Sequence, residues 1–187
     1  MTVRDKLSVS DYSIASDSMY LFETERLRFR EMTADDAQFA FDLNSDPEVI
    51  QYTGDPPFES VEAAREFLTA YEFVYRKYGY GRWGMELKET GELIGWCGLK
   101  YHPDAQVTDV GYRLPKKFWG NGYATEAALA TIKIGFEKLG LNKIVAHARK
   151  ENIASLRVLE KCGMMRTGEG LECGGEIYIY GIDYKGE

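Results

Sequence analysis

Leu114-Pro-Lys-Lys-Phe-Trp-Gly-Asn-Gly-Tyr-Ala-Thr-Glu-Ala127 is the stretch that decides the fold. The residues leading into it, Val107 to Leu114, read as a strand. Those leaving it, Tyr123 to Leu139, place Leu129, Ile132, Phe136 and Leu139 on one helical face, with Gly140 as the stop. Between strand and helix, Gly120 and Gly122 let the backbone turn its amide N–H groups inward. The helix start adds unsatisfied donors and the positive end of a dipole. A pyrophosphate suits such a place, and Lys116 and Lys117 stand just before it, although exposed lysine pairs are commonly only solvated. Gly-x-Gly turns also occur with no ligand. No Lys-Ser/Thr pair follows the glycines, as a nucleotide triphosphatase loop requires, and the third glycine of a dinucleotide fingerprint is missing.

Upstream, Leu27 to Arg30 alternates apolar and basic residues as a strand does, and Thr33 with Asp36 marks a helix start before AQFAFDLN. Asp46-Pro47 and Gly54-Asp55-Pro56-Pro57 punctuate a connection. Ser60 then caps a helix from Val61 to Tyr78, whose Ala64, Phe67, Leu68, Tyr71, Tyr75 and Tyr78 form an aromatic face suited to packing on a sheet. Arg82 to Leu87 and Leu93 to Tyr101 pair as a hairpin, and with Val107 to Leu114 they predict three consecutive antiparallel strands ending in VTDVGYRL. Downstream come a strand from Lys143 to Arg149, a helix from Ile153 to Cys162 capped by Asn152 and ended by Gly163, and a closing hairpin of Met165 to Leu171 and Glu176 to Asp183. Residues 1 to about 19 carry no sustained period and read as a flexible arm, leaving 20–187 as a single domain.

The 187 residues, 44% apolar and 13% aromatic, are enough for one core. No apolar run reaches the roughly 18 residues needed to span a bilayer, and MTVRDKLSVSDYSIASDS lacks a signal peptide's apolar centre, so a cytoplasmic protein with no membrane partner is expected. Cys97, Cys162 and Cys173 form no CxxC pair, and His102 and His147 are far apart in the chain. Neither a disulfide framework nor a metal is expected, and both histidines read as surface or core filler. A formal charge of −7 disfavours nucleic-acid binding and leans toward a cationic partner.

Two segments together carry a resemblance. LPKKFWGNGYATEA resembles the acetyl-CoA motif of the GNAT acetyltransferases, with Lys117 at the Gln/Arg position, and ENIASLRVLEKCGM resembles the family's second motif, an Asn-opened helix ended by Gly. The element order from Leu27 to Asp183 is similar throughout. Within the family the likeness runs to Rim-type enzymes, which acetylate protein N-termini, and to their relatives acting on small amines. The implied fold is α/β (α+β): a mixed, mostly antiparallel sheet of about seven strands, helices on both faces, splayed where 107–114 meets 143–149. The implied cosubstrate is acetyl-CoA, without a metal. Its pantetheine would pair with the backbone of Tyr112, Arg113 and Leu114, and Lys117 with Gly120, Asn121, Gly122, Tyr123 and Ala124 would hold the pyrophosphate. Asn152, otherwise a plain helix cap, would bond the pantetheine arm, and Ser155 would face the thioester sulfur.

The resemblance implies acetyl transfer to a primary amine, on a protein N-terminus or a small molecule, by direct attack. The alternative on the same fold is a noncatalytic acyl-CoA-binding or protein-interaction module. Asp109 takes the position of the acid directed at the acceptor, Glu86 on the neighbouring strand is a second candidate, and either also reads as a solvated strand carboxylate. Many members carry a tyrosine general acid where this chain has Leu159, which leaves Ser155 or water to protonate the thiolate. Met164 replaces a usual aromatic. Tyr52, Asp55, Trp83 and Glu86 are the expected acceptor-pocket residues, since aromatics with acids suit an ammonium. A monomer or a homodimer is expected.

Overall fold

Thr33 caps the first helical turn among the described residues: its hydroxyl accepts from the Asp35 N–H, while the Asp36 carboxylate accepts from the Thr33 N–H, the reciprocal box that its spacing predicts. The computed structural model describes residues 19–172 and 174–186, so the arm read for residues 1–19 lies, Met19 apart, outside them. Beyond the box, α1 (Ala37–Ser45) buries Ala37, Ala40 and Leu43. α3 (Val61–Tyr78) starts on Ser60, whose Oγ accepts from the Ala63 N–H, and stops on Gly79 at φ 75°. Between them lies α2 (Pro47–Ile50), one turn capped by Asp46 in a region expected to be only a connection.

The strands are β1 (Phe22–Glu23), β2 (Leu27–Arg30), β3 (Arg82–Leu87), β4 (Leu93–His102), β5 (Val107–Arg113), β6 (Lys143–Arg149), β7 (Met165–Glu172) and β8 (Gly175–Asp183). They form one sheet in the order β1-β2-β3-β4-β5-β6-β8-β7. Among the described residues this makes eight strands where about seven were expected, because β1 adds a two-residue edge whose Phe22 stacks on Phe29. β5, expected as the last of three antiparallel strands, lies mid-sheet. Its pairing with β6 is parallel and confined to Asp109 and Val145, after which the two strands part. The expected splay is therefore present.

α4 (Tyr123–Glu137) and α5 (Ile153–Lys161) cover one face of the sheet. α4 meets it through Ala127, Ala128, Ala130 and Thr131, small residues that let helix and strands approach closely. Leu27, Phe29, Met85, Ile94, Leu99, Ile144 and Leu159 are fully enclosed. Each such side chain contributes about 1.5–3 kcal/mol by burial. On the other face a smaller core of Met32, Ala37, Ala40, Ala64 and Leu68 joins α1 to α3, with Trp96 packed against it. Among the described residues no helix is long and apolar enough to cross a membrane.

Candidate active site

Where β5 leaves β6, a cleft of about 1500 Å³ opens between the two helical layers. Its coenzyme-like end is made by backbone. Gly120 and Gly122 adopt φ 78° and 81°, and Gly122 is the N-cap of α4 with no side-chain acceptor for the first amide donors. A Cβ at Gly120 would meet nothing within 4 Å, so only its backbone conformation demands glycine. Arg26 fixes this loop from below: it donates to the Asn121 carbonyl, pairs with Glu126 at 2.7 Å, and lies 4.5 Å over the Tyr123 ring. The uncapped donors fit an anion as the turn predicts.

Along the splay, Asn152 Oδ1 accepts from the Ser155 N–H at 3.1 Å, seating α5. The Tyr112 hydroxyl lies 2.9 Å from Ser155 Oγ and donates to the Ser155 carbonyl at 3.2 Å. Burial pushes the Tyr112 phenol well above its usual range, an effect that outweighs the opposing hydrogen bond to Ser155, so it stays protonated.

The opposite wall is made by side chains. Arg82 Nη2 donates to both Asp109 oxygens at 2.9 and 2.8 Å, and its Nη1 donates to the Gly98 carbonyl at 2.6 Å. The guanidinium lies 5.4 Å from the Trp96 ring and directly over Gly111, where a Cβ would sit 2.9 Å from it. Glycine is required there to let Arg82 cross the sheet. His102 Nε2 is 3.2 Å from Asp109 Oδ1. Arg113 also stacks on Trp96, and it donates to Asn44 and, at 2.6 Å, to Asp55. Across the cleft His147 Nδ1 meets Glu172 at 3.0 Å.

Residues 26–165 match the acetyltransferase (GNAT) domain family. This chain is a GNAT acetyltransferase. It is 36% identical over 151 residues to the "Uncharacterized N-acetyltransferase YoaA" of Bacillus subtilis (strain 168), covering 79% of this chain and 84% of that one. An acetyltransferase (GNAT family) from Bacillus anthracis superposes with TM-score 0.73 at 29% identity, over 86% of this chain and 96% of that one. A spermidine N-acetyltransferase from Vibrio cholerae, solved with CoA and spermine, superposes with TM-score 0.71 at 21% identity over 84% and 95% of the two chains, which speaks to the fold. The GNAT enzyme moves an acetyl group from acetyl-CoA to an amine.

Not every expected residue reaches the cleft. Gly120, Gly122, Tyr123, Ala124, Tyr112, Arg113, Leu114, Asn152, Ser155, Asp109, Tyr52 and Asp55 line it. Lys117 and the Asn121 side chain do not: the Lys117 ammonium bonds Glu92 at 2.7 Å, and the Asn121 amide donates back to the Phe118 and Trp119 carbonyls. The Leu114 carbonyl accepts from Trp119 Nε1 at 2.8 Å. Trp83 is buried edge-on against Phe22 in the main core. Glu86 is also outside the cleft, enclosed by Arg30 Nε at 2.6 Å and the Tyr20 hydroxyl at 2.8 Å. That arrangement is structural. Arg30, bonded first to Asp36 and then to Glu86, is held still more firmly protonated than usual despite its burial.

Sequence reasoning missed Arg82, Trp96 and the Tyr112 side chain, and it set aside both histidines. It also missed Arg157 and Lys161, one turn apart on α5, which line the cleft. For that pair the i, i+4 spacing after Asn152 was the available signal.

Proposed function

We propose that the enzyme acetylates a primary amine by direct attack, with acetyl-CoA along the α4–α5 side of the splay and the amine arriving from the α1–α3 side. The observation that carries this is the parting of β5 from β6 beside an uncapped helix start. Acetyl-CoA, when bound, supplies the activated acetyl group. The backbone edge of Tyr112 to Leu114 holds its pantetheine, the amides of Gly120 to Ala124 its pyrophosphate, and Arg157 and Lys161 add charge to the phosphates. Asn152 fixes α5 against the arm. The Tyr112–Ser155 hydroxyl pair delivers the proton that the leaving thiolate needs, in place of the tyrosine absent at Leu159. The amine's proton leaves toward the Arg82–Asp109–His102 wall.

Glu48, Asp55, Asp109 and Glu151 are each ion-paired to lysine or arginine, so the cleft has few bare carboxylates for a polyamine. This supports an acceptor with a single ammonium, on a small molecule or a protein N-terminus. The free thiols of Cys97 and Cys162, both buried, suit the cytoplasm. Thiol release from acetyl-CoA is measured against peptides with varied first residues, amino acids, aminoglycosides and spermidine, with calorimetry for CoA. Saturable release with a monoamine, and release with spermidine at least about tenfold slower, is the expected result. CoA binding with no release on any amine removes direct attack, and absence of CoA binding removes the placement of the coenzyme.

A further inference from the structure

We propose that His102 is the catalytic base that takes the amine's proton, and that Asp109 and Arg82 are positioning residues behind it. This rests on the acetyl-transfer reading above. An ammonium reaching the junction of β5 and β6 must lose a proton before its nitrogen can attack, and the nearest acid–base groups are Asp109 and His102. Asp109 has the expected position but is already engaged. Arg82 donates to both of its oxygens at 2.9 and 2.8 Å, and His102 Nε2 lies 3.2 Å from the Oδ1 oxygen. Arg82 in turn is held by the Gly98 carbonyl and the Trp96 ring, and its guanidinium fills the room left by the missing Cβ of Gly111. A proton on Asp109 would have to displace the Arg82 Nη2 that spans both of its oxygens.

His102 has the complementary property. With Asp109 accepting from Nε2–H, the neutral imidazole keeps its lone pair on Nδ1, for which the described residues offer no partner. The side chain is 41% exposed, on the lining of the cleft. The other ionisable groups on this wall are Asp55 ahead of α3, Tyr71 and Tyr75 on α3, Arg82 on β3, Lys100 on β4, and Asp109 and Arg113 on β5, with His147 on β6 and Glu172 on β7 opposite. His147 is the competing base, but its Glu172 partner comes from beside the turn of the closing hairpin, away from the Asp109–Val145 junction.

The step balances. The ammonium first loses one proton to His102 Nδ1, which passes it to solvent, and the freed lone pair then forms the N–C bond while His102 takes the second N–H proton. The C–S bond breaks, the thiolate takes its proton from the Tyr112–Ser155 pair, His102 returns its second proton to solvent, and the hydroxyl pair is reprotonated from solvent.

The test uses the full chain and its H102Q, D109N and H147Q variants. kcat/KM is followed from about pH 5.5 to 9.5 with whichever amine of the panel above gives saturable thiol release, and CoA affinity is measured as a folding control. Expected for H102Q is a loss of about 100-fold or more at neutral pH, disappearance of the acid limb, and CoA affinity within about twofold of wild type. D109N keeps the limb and lowers kcat/KM across the range, because the imidazole loses the carboxylate that orients it. A wild-type limb in H102Q, or its loss in H147Q alone, overturns the proposal. A second readout does not depend on turnover: long-range ¹H–¹⁵N spectra, with the two histidines separated by H147Q, should show Nδ1 of His102 as the unprotonated nitrogen. The opposite tautomer overturns it equally. Failure of wild type to turn over any amine, with the expected tautomer present, counts against the acetyl-transfer reading instead.

Discussion

The two walls of the cleft are built by different means. The coenzyme wall comes from two contiguous segments, 112–124 and 152–161, and its determinants are backbone amides, two glycines of positive φ and one cap. The amine wall is assembled from Asn44, Asp55, Arg82, Trp96, His102, Asp109 and Arg113, with hydrogen bonds joining residues 27, 58 and 69 positions apart. A wall made by main chain tolerates most side chains, whereas a wall of interlocked charges depends on each member. Replacing one residue should therefore damage the second wall more than the first.

The largest effect is expected for Arg82→Met. The pair it forms with Asp109 is mostly buried, at 16% and 19% side-chain exposure. Removing the guanidinium leaves the Gly98 carbonyl without that donor and Asp109 with His102 alone, at a cost of about 2–4 kcal/mol. Chemical denaturation should show that loss, and turnover should fall by about 100-fold or more as Asp109 and His102 lose their registration. A variant as stable as wild type would mean that the wall is held by packing on Trp96, and the contrast between the walls would collapse.

A middle-sized effect is expected for Tyr112→Phe. The phenol meets Ser155 at 2.9 Å, and burial keeps it protonated far into the alkaline range. Removing it should lower kcat about tenfold and leave the KM for acetyl-CoA unchanged, because the backbone of residue 112 remains. A rise in KM with kcat preserved would assign the hydroxyl to binding and leave protonation of the thiolate to water.

What the sequence made legible follows the same division. The Thr33–Asp36 box, the Ser60 cap, the Asn152 cap and the strands Arg82–Leu87 and Lys143–Arg149 are local signals, and each lies where its local signal points. β1 and α2 escape because two and four residues are too short to show a period. Alternation along β3 tells that Trp83 and Glu86 face opposite ways, but not which way is the core, and Arg30, which encloses Glu86, is 56 residues away. His102 and Asp109 are seven residues apart on paired strands, yet their meeting depends on the register of the β4–β5 hairpin.

The smallest effect is expected for Lys117→Ala, and it sharpens the comparison most. By position in the motif Lys117 belongs to the pyrophosphate, but its ammonium lies on Glu92, with 66% of the side chain in solvent. Such an exposed pair contributes little to stability. The charges that α5 turns to the cleft are Arg157 and Lys161, to which no partner is joined among the described residues. Calorimetry at two salt concentrations should therefore find the CoA affinity of Lys117→Ala within about twofold of wild type, while Arg157→Ala and Lys161→Ala each weaken it several-fold at low salt and less at high salt. The reverse ranking would mean that Lys117 swings off Glu92 onto the phosphates. The coenzyme wall would then depend on a side chain as closely as the amine wall does.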